Sequence, residues 1–398
     1  MSFDARAAIA AYRGWHALED SLPTDSSVEV IDFDLVPEIG DLEPFSSRAQ
    51  VAARIEELQG SVDPVDDVGE FILAKLNASA VYLRCLAGEQ LEFYEHVRGM
   101  LGVTPELVSN DHVDERREVV FALLRDLGVR FEGSKPEPGS FAAFDESIRI
   151  FEQDASAEAG AAAERFLPAI TRLLGVGDLQ IPYRTAADSV DAYWYAWAAG
   201  GRDDMVLTLN FHPTIHWRRG DLEFLMLHEV CGHFLHAALV ARRIQAGDLD
   251  PFVGITAVHD PQAFGDEGSA DALGHFFQDE APLSPYGVLA REQRLLRDYL
   301  NNNAHILINM GWPHDELLAS MLTNPFTVEA YARRNLATWT SHPLRRSYQY
   351  VYGIAQKYHR RWAALMNREQ RLEYMRYALT TYVTPDRLMA RANEIAKP

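Results

Sequence analysis

The chain has 398 residues, 47% of them apolar and 24% charged, with two cysteines. That length allows two or three lobes or one enzyme-sized body that needs no covalent staples, which excludes a disordered chain or a disulfide scaffold. Lys+Arg number 37 against 58 Asp+Glu, a net charge of −21 that repels nucleic acid and anionic membrane alike. The densest basic cluster, Arg345, Arg346, Lys357, Arg360 and Arg361, is too small to reverse that field.

In chain order, the start Met1-Ser-Phe-Asp-Ala-Arg6 carries an early acid and no apolar core, so it does not read as a signal peptide, and the expectation is a cytoplasmic protein. Ser21–Pro44 is acidic and contains proline, and reads as an extended surface segment. Asp67–Leu101 repeats apolar residues at helical spacing and predicts one long amphipathic helix or two in series. Asp111–Leu127 and Ser140–Leu174 read likewise, punctuated by Gly102, Gly128 and Gly139. Near residue 180 the character changes. Ala192–Ala198 (AYWYAWA) is aromatic, Val206–Phe211 (VLTLNF) is partly alternating, and the Gly-Gly-Arg-Asp-Asp between them predicts a β-hairpin. Phe224–Ala241 is the most apolar stretch, but three histidines and a glutamate argue against a bilayer span. From Tyr286 the pattern is helical again, with Pro313, Pro325 and Pro343 at helix boundaries. The expected fold is mainly α with a small β-hairpin or sheet. It divides softly into a helical lobe, residues 1–180, and a metal-binding catalytic lobe, residues 181–398, packed as one body.

The chemistry concentrates in Leu225-Met-Leu-His-Glu-Val-Cys-Gly-His-Phe-Leu-His236, which holds His228-Glu229-x-x-x-His233. Histidines four apart advance an ideal helix only about 40° past a full turn and reach one metal ion; five apart, they advance about 140°. Convergence therefore requires a local π-type turn that absorbs one residue, and Gly232 supplies backbone freedom for it. The third ligand is expected from a following helix. In Asp266-Glu267-Gly-Ser-Ala-Asp271, Glu267 and Asp271 are four apart and share a face. Glu267 completes a His₂Glu set with one open position, Asp271 hydrogen-bonds a ligand histidine, and Glu229 is the general base. His236 is either a supporting neighbour or an alternative ligand. Cys231 reads as a buried, inert thiol, and His212 and His216 as structural or pocket-lining.

These residues resemble the gluzincin metallopeptidases. The His-Glu-Val-Cys-Gly-His spacing is like that of the dipeptidyl peptidase III family. Glu267-Gly-Ser-Ala270, with Arg291–Trp312 and Pro343–Trp362 behind it, is similar to a bacterial family of zinc-peptidase-like domains of unknown function. The resemblance covers about residues 180–370. Gly232 alone stands where that family has Pro-Gly, Ile308 where it has a histidine before Gly-Trp, and Arg346 where it often has Gln.

The resemblance implies zinc, a mainly helical gluzincin fold, and hydrolysis of a peptide or small amide. Along Arg345–Trp362, one helical stripe is Arg346, Tyr350, Gly353 and Lys357, and a second is Tyr348 and Tyr352. Tyr350, with His305, is the expected oxyanion donor. Arg346, Tyr348 and Asn210 are the expected substrate contacts, and Val206–Phe211 is a strand to which an extended substrate could add. Two other readings use the same residues: a non-haem Fe²⁺ oxygenase or lyase acting on a metabolite, and a peptide-binding module whose structural metal recruits His236 as fourth ligand. Oligomeric state is not legible.

Overall fold

The computed structural model describes residues 3–23, 28–40, 42–192 and 194–397. Residues 1–2 of the start, 24–27 and 41 of the acidic segment, and 193 of the aromatic run lie outside them.

The fold is mainly helical. Asp67–Leu101 forms two helices, Asp67–Leu86 and Phe93–Leu101. The first begins where the Asp66 side chain accepts the Gly69 N–H at 2.8 Å. The second ends at Gly102, whose φ of 69° is the left-handed conformation of a helix stop. Ser140–Leu174 is also two helices, Pro138–Ser147 and Glu152–Leu174, parted by a two-residue strand at Arg149–Ile150.

The expected hairpin is present inside a larger, mixed sheet of five strands: β1 (Ile31–Asp34), β2 (Tyr183–Asp188), β3 (Ala196–Gly201), β4 (Asp204–Asn210) and β5 (Ile255–Ala257). Their order is β2-β4-β3-β1-β5. β3 and β4 pair antiparallel with Gly201 opposite Asp204, β2 runs parallel to β4, β1 parallel to β3, and β5 antiparallel to β1. Two expectations change. Ser21–Pro44 is not a surface segment throughout, because Val30, Leu35 and Val36 are fully buried around β1. Strand addition to Val206–Phe211 is closed off, because β4 is already paired on both sides.

Four helices complete the frame of the site: α1 (Arg219–Gln245, with a π-turn inside it), α2 (Ala263–Phe276), α3 (Pro285–Asn309) and α4 (Arg345–Leu365). α1 is long and apolar enough to cross a bilayer, yet 94% of its most apolar window is buried inside the protein. Its burial removes a large apolar area from water, the dominant favourable contribution to folding. The main apolar core runs from Ala8 to Ile395 and takes side chains from both sides of residue 180. Smaller cores join 108–131 to α3, and the end of α3 to the helices His314–Met321 and Glu329–Thr338.

Candidate metal centre

α1 starts where the Asp221 carboxylate accepts the Arg218 N–H at 3.1 Å. It winds regularly to His228, and from Glu229 to Phe234 it is a π-helix. The Leu235 N–H reaches back five residues to the Val230 carbonyl. The extra residue in this turn cancels the angular excess of the five-residue spacing. The Nε2 atoms of His228 and His233 consequently lie 3.2 Å apart, with the ring planes at 78°.

Gly232 contributes differently from the expectation. Its φ is not in the left-handed region. A Cβ there would sit 2.5 Å from the Cβ of Ala270. Glycine at 232 and alanine at 270 therefore let α1 and α2 touch backbone to backbone. Gly268 does the same on the other side of α2, where a Cβ would collide with the His359 ring and lie 3.0 Å from the Ala355 Cβ of α4. The small residues of Glu267-Gly-Ser-Ala270 thus wedge α2 between α1 and α4 and carry Glu267 to the histidines.

Glu267 Oε2 lies 3.4 Å from His228 Nε2 and 3.8 Å from His233 Nε2. Ligand atoms about 2.0–2.1 Å from a tetrahedral zinc are about 3.3–3.4 Å from one another. Two of the three contacts, 3.2 and 3.4 Å, are close to that edge, and the third, 3.8 Å, is longer, so the atoms approximate one face of such a tetrahedron. The other oxygen of Glu267, Oε1, accepts the Tyr348 hydroxyl at 2.7 Å, and Oε2 is buried with no hydrogen-bond donor. Asp271 Oδ1 stands 2.7 Å from His228 Nδ1 and fixes the ring with Nε2 toward the cluster. Arg294 Nη2 lies 3.3 Å from the same oxygen. Glu229 Oε1 is 3.8 Å from His228 Nε2.

The electrostatics ask for a cation. Burial opposes a charge on His228, but Asp271 and Glu229 outweigh it and hold the ring up to about 10. Burial likewise opposes ionisation of Glu267, yet His228 and His233 hold its carboxyl well below the usual range. Without a metal the cluster draws in protons; a divalent ion on the same atoms does the same work with bonds of fixed geometry.

The cluster opens into a cavity of about 230 Å³. One wall is the sheet, with Asp32, Phe33 and Trp197; the others are α1 to α4, with Arg294, Arg297, Tyr348 and Tyr352. His228, Glu229, His233, Glu267, His236 and Tyr348 all line it, and Asp271 stands behind His228. His236 is not among the groups able to share an ion; its Nδ1 pairs with Asp266 at 2.9 Å.

Four expected residues do not reach the cavity. The Tyr350 hydroxyl accepts the Glu106 N–H at 2.8 Å and donates to the Thr104 carbonyl at 2.9 Å, on the far side of α4. Arg346 is spent on the Leu91 carbonyl at 2.7 Å and on Asn309 at 3.1 Å. His305 is fully buried between Phe93 and Trp339, where burial drives its ring down to about 3. Asn210 ties the 190–194 connection, its amide donating to the Val190 and Trp194 carbonyls. His212 and His216 also lie away from the cavity. Cys231 is buried, and burial raises its thiol above the ordinary range.

Sequence reasoning missed Asp32 and Arg294. The alternating run Val28-Glu-Val-Ile-Asp-Phe-Asp-Leu-Val36 is a strand signal that places an acid on an inner face. Arg294 is four residues before Asp298 in a helix otherwise largely buried, a sign of an internal ion pair.

No protein-family model matches the chain, and no curated protein does. Among solved structures, one described as a lipoprotein from Colwellia psychrerythraea aligns with a TM-score of 0.58 and 14% identity, covering 87% of this chain and 66% of that one. This chain therefore spans just under two thirds of that structure's length, and the similarity is one of fold alone. Metallocarboxypeptidase 1 of Trypanosoma cruzi aligns with a TM-score of 0.30 and 10% identity over 98% of this chain and 94% of its own, too loosely to carry an argument. The gluzincin resemblance therefore rests on the residues of the site themselves.

Proposed function

We propose that this protein is a zinc-dependent hydrolase that cleaves a peptide bond or a small amide. The observation that carries the reading is the set of three ligand atoms, His228 Nε2, His233 Nε2 and Glu267 Oε2, spaced as one face of a tetrahedron and facing a cavity. Zinc held there supplies Lewis acidity toward a carbonyl oxygen and lowers the pKa of a bound water to about 7. The chain's own residues do the rest. Glu229 adjoins the ligand set from inside the cavity, so its carboxylate takes the proton of the attacking water and returns it to the departing nitrogen. Asp271 keeps the His228 tautomer fixed. Tyr348 holds Glu267 by its Oε1 and so leaves Oε2 for the metal. Because His236 is turned onto Asp266, a zinc ion held by His228, His233 and Glu267 would keep room for water and substrate, which favours catalysis over a closed structural site.

The test is Glu229→Gln with elemental analysis of both proteins. Zinc is expected at one equivalent in each, and turnover of a peptide panel is expected to fall about 10²- to 10⁴-fold in the variant. Metal retained with undiminished turnover removes Glu229 from its role. Iron in place of zinc, with oxygen consumption, replaces hydrolysis by oxidative chemistry.

A further inference from the structure

The cavity contains a carboxylate that the hydrolytic machinery does not use. β1 is not a regular strand. Ile31 stands opposite Ala257 and Phe33 opposite Thr256, so Asp32 is an extra residue with no partner in the ladder, a β-bulge. In a regular strand, successive side chains point to opposite faces. Here Asp32 and Phe33 both line the cavity, and the bulge is what turns the second of the two inward.

Once there, Asp32 keeps one carboxylate oxygen unpaired. Its Oδ1 is buried without a hydrogen-bond partner. Lys75 is the nearest cation to influence it, but the Lys75 ammonium is spent on Asp260 at 2.6 Å and on the Ile255 carbonyl. The cavity's arginines are engaged elsewhere, Arg294 by Asp271 and Asp298 and Arg297 by Asp298. Asp266 has His236. Burial first, and then the charges of Asp260, Glu29 and Glu267, push the Asp32 carboxyl well above the usual range. A half-buried acid with one buried, unpaired oxygen costs stability, which a positive partner removes. Among the described residues, Asp32 belongs to neither group of three side chains able to share an ion. A cation that arrives with the substrate has the charge this oxygen calls for.

We propose that Asp32 binds the free α-ammonium group of the substrate, so that hydrolysis falls on the first peptide bond of a peptide or on the amide of an amino-acid amide. This rests on the hydrolase reading, since it places the scissile carbonyl at the His228–His233–Glu267 cluster. Asp32 lines the same cavity as Glu267 and Tyr348, and its charge acts on both. An α-ammonium and its own carbonyl are separated by a single Cα, which suits an anchor placed beside the metal ligands. An acyl group on that nitrogen removes the charge and adds bulk against Asp32.

The experiment uses zinc-loaded protein, with Leu-Gly-Gly, N-acetyl-Leu-Gly-Gly and Nα-acetyl-Lys-Gly-Gly as probes. Binding is measured by calorimetry in the Glu229→Gln background and turnover in the parent. The parent is expected to prefer the free amine at least tenfold. Asp32→Asn is expected to lose that preference by weakening Leu-Gly-Gly and leaving the acetylated peptide unchanged, with zinc content retained. Asp32→Glu is expected to restore part of the preference. Thermal melting reports folding, and the Asn variant is expected to be no less stable. Equal binding of free and acetylated peptides by the parent, or an equal effect of Asp32→Asn on both, overturns the assignment. So does an Asp32-dependent preference for the acetylated lysine peptide, which moves the ammonium to a side chain. Because binding is read without turnover, a failure of the hydrolase reading shows separately, as ligand discrimination with no cleavage in the parent.

Discussion

Two faces of α4 carry nearly the same chemistry to opposite ends. On one face, Tyr348 and Tyr352 line the cavity, and the Tyr348 hydroxyl holds the Glu267 carboxylate. On the other, Tyr350, Arg346 and Lys357 bind the 91–106 segment through its Leu91, Thr104 and Glu106 groups. Tyr350 is fully buried and Tyr348 half-buried, and burial raises both phenols. Only Tyr348 also has an ionised ligand, Glu267, beside it. The partner, not the residue type, decides whether a tyrosine serves the site or the scaffold.

Removing single hydroxyls separates the two faces. Tyr348→Phe leaves Glu267 without the bond that orients it, and is expected to cost about 10- to 100-fold in metal affinity or turnover, with little change in melting temperature. Zinc titration against a chelator and kcat at saturating zinc check this. An unchanged zinc affinity and rate would make Tyr348 a packing residue. Further along the face that carries Tyr348 and Tyr352, Ala355 and His359 receive Gly268. Gly268→Ala inserts a methyl against the His359 ring and is expected to cost about 1–3 kcal/mol of stability. It also shifts Glu267, so zinc affinity falls together with the denaturation midpoint. Tyr350→Phe strips the Glu106 N–H of its acceptor and the Thr104 carbonyl of its donor, a loss of about 1–2 kcal/mol. Its kcat per folded molecule should match the parent's; a lower kcat at full zinc occupancy would return Tyr350 to the catalytic machinery.

The convergence of His228 and His233 was legible because its signal is local: charged groups in an otherwise apolar helix, at a spacing that demands a π-turn. The turn formed where the spacing required it. What the sequence does not contain is the neighbour across a contact. Gly232 read as backbone freedom because Ala270 could not be seen opposite it. The two stripes of α4 were visible as periodicity, but periodicity does not say which stripe meets the cavity, and Tyr350 was taken for the role that Tyr348's position supports. The hairpin was legible from its turn, whereas β1, β2 and β5 were not: β1 is short and bulged at Asp32, and β5 has three residues. The same irregularity hid Asp32, since an alternating pattern assigns it to the face opposite Phe33.

The smallest expected effect lies at the outer end of the scaffold face. Lys357 Nζ meets Glu106 Oε1 at 3.0 Å, with the two side chains 32% and 41% exposed. Water competes for both charges at that exposure, and holding a long lysine in one rotamer offsets part of the attraction, so the pair is worth about 0–1 kcal/mol. Lys357→Met keeps most of the side chain's apolar stem and removes only the charge. Urea denaturation should therefore place it within about 1 kcal/mol of the parent, with the difference shrinking further in high salt. Tyr350, about two turns back on the same face and buried, grips the same Glu106 by its backbone and should show no such salt dependence. A large, salt-insensitive loss for Lys357→Met would mean that the 104–106 segment hangs on its charge and not on the hydroxyl beneath it.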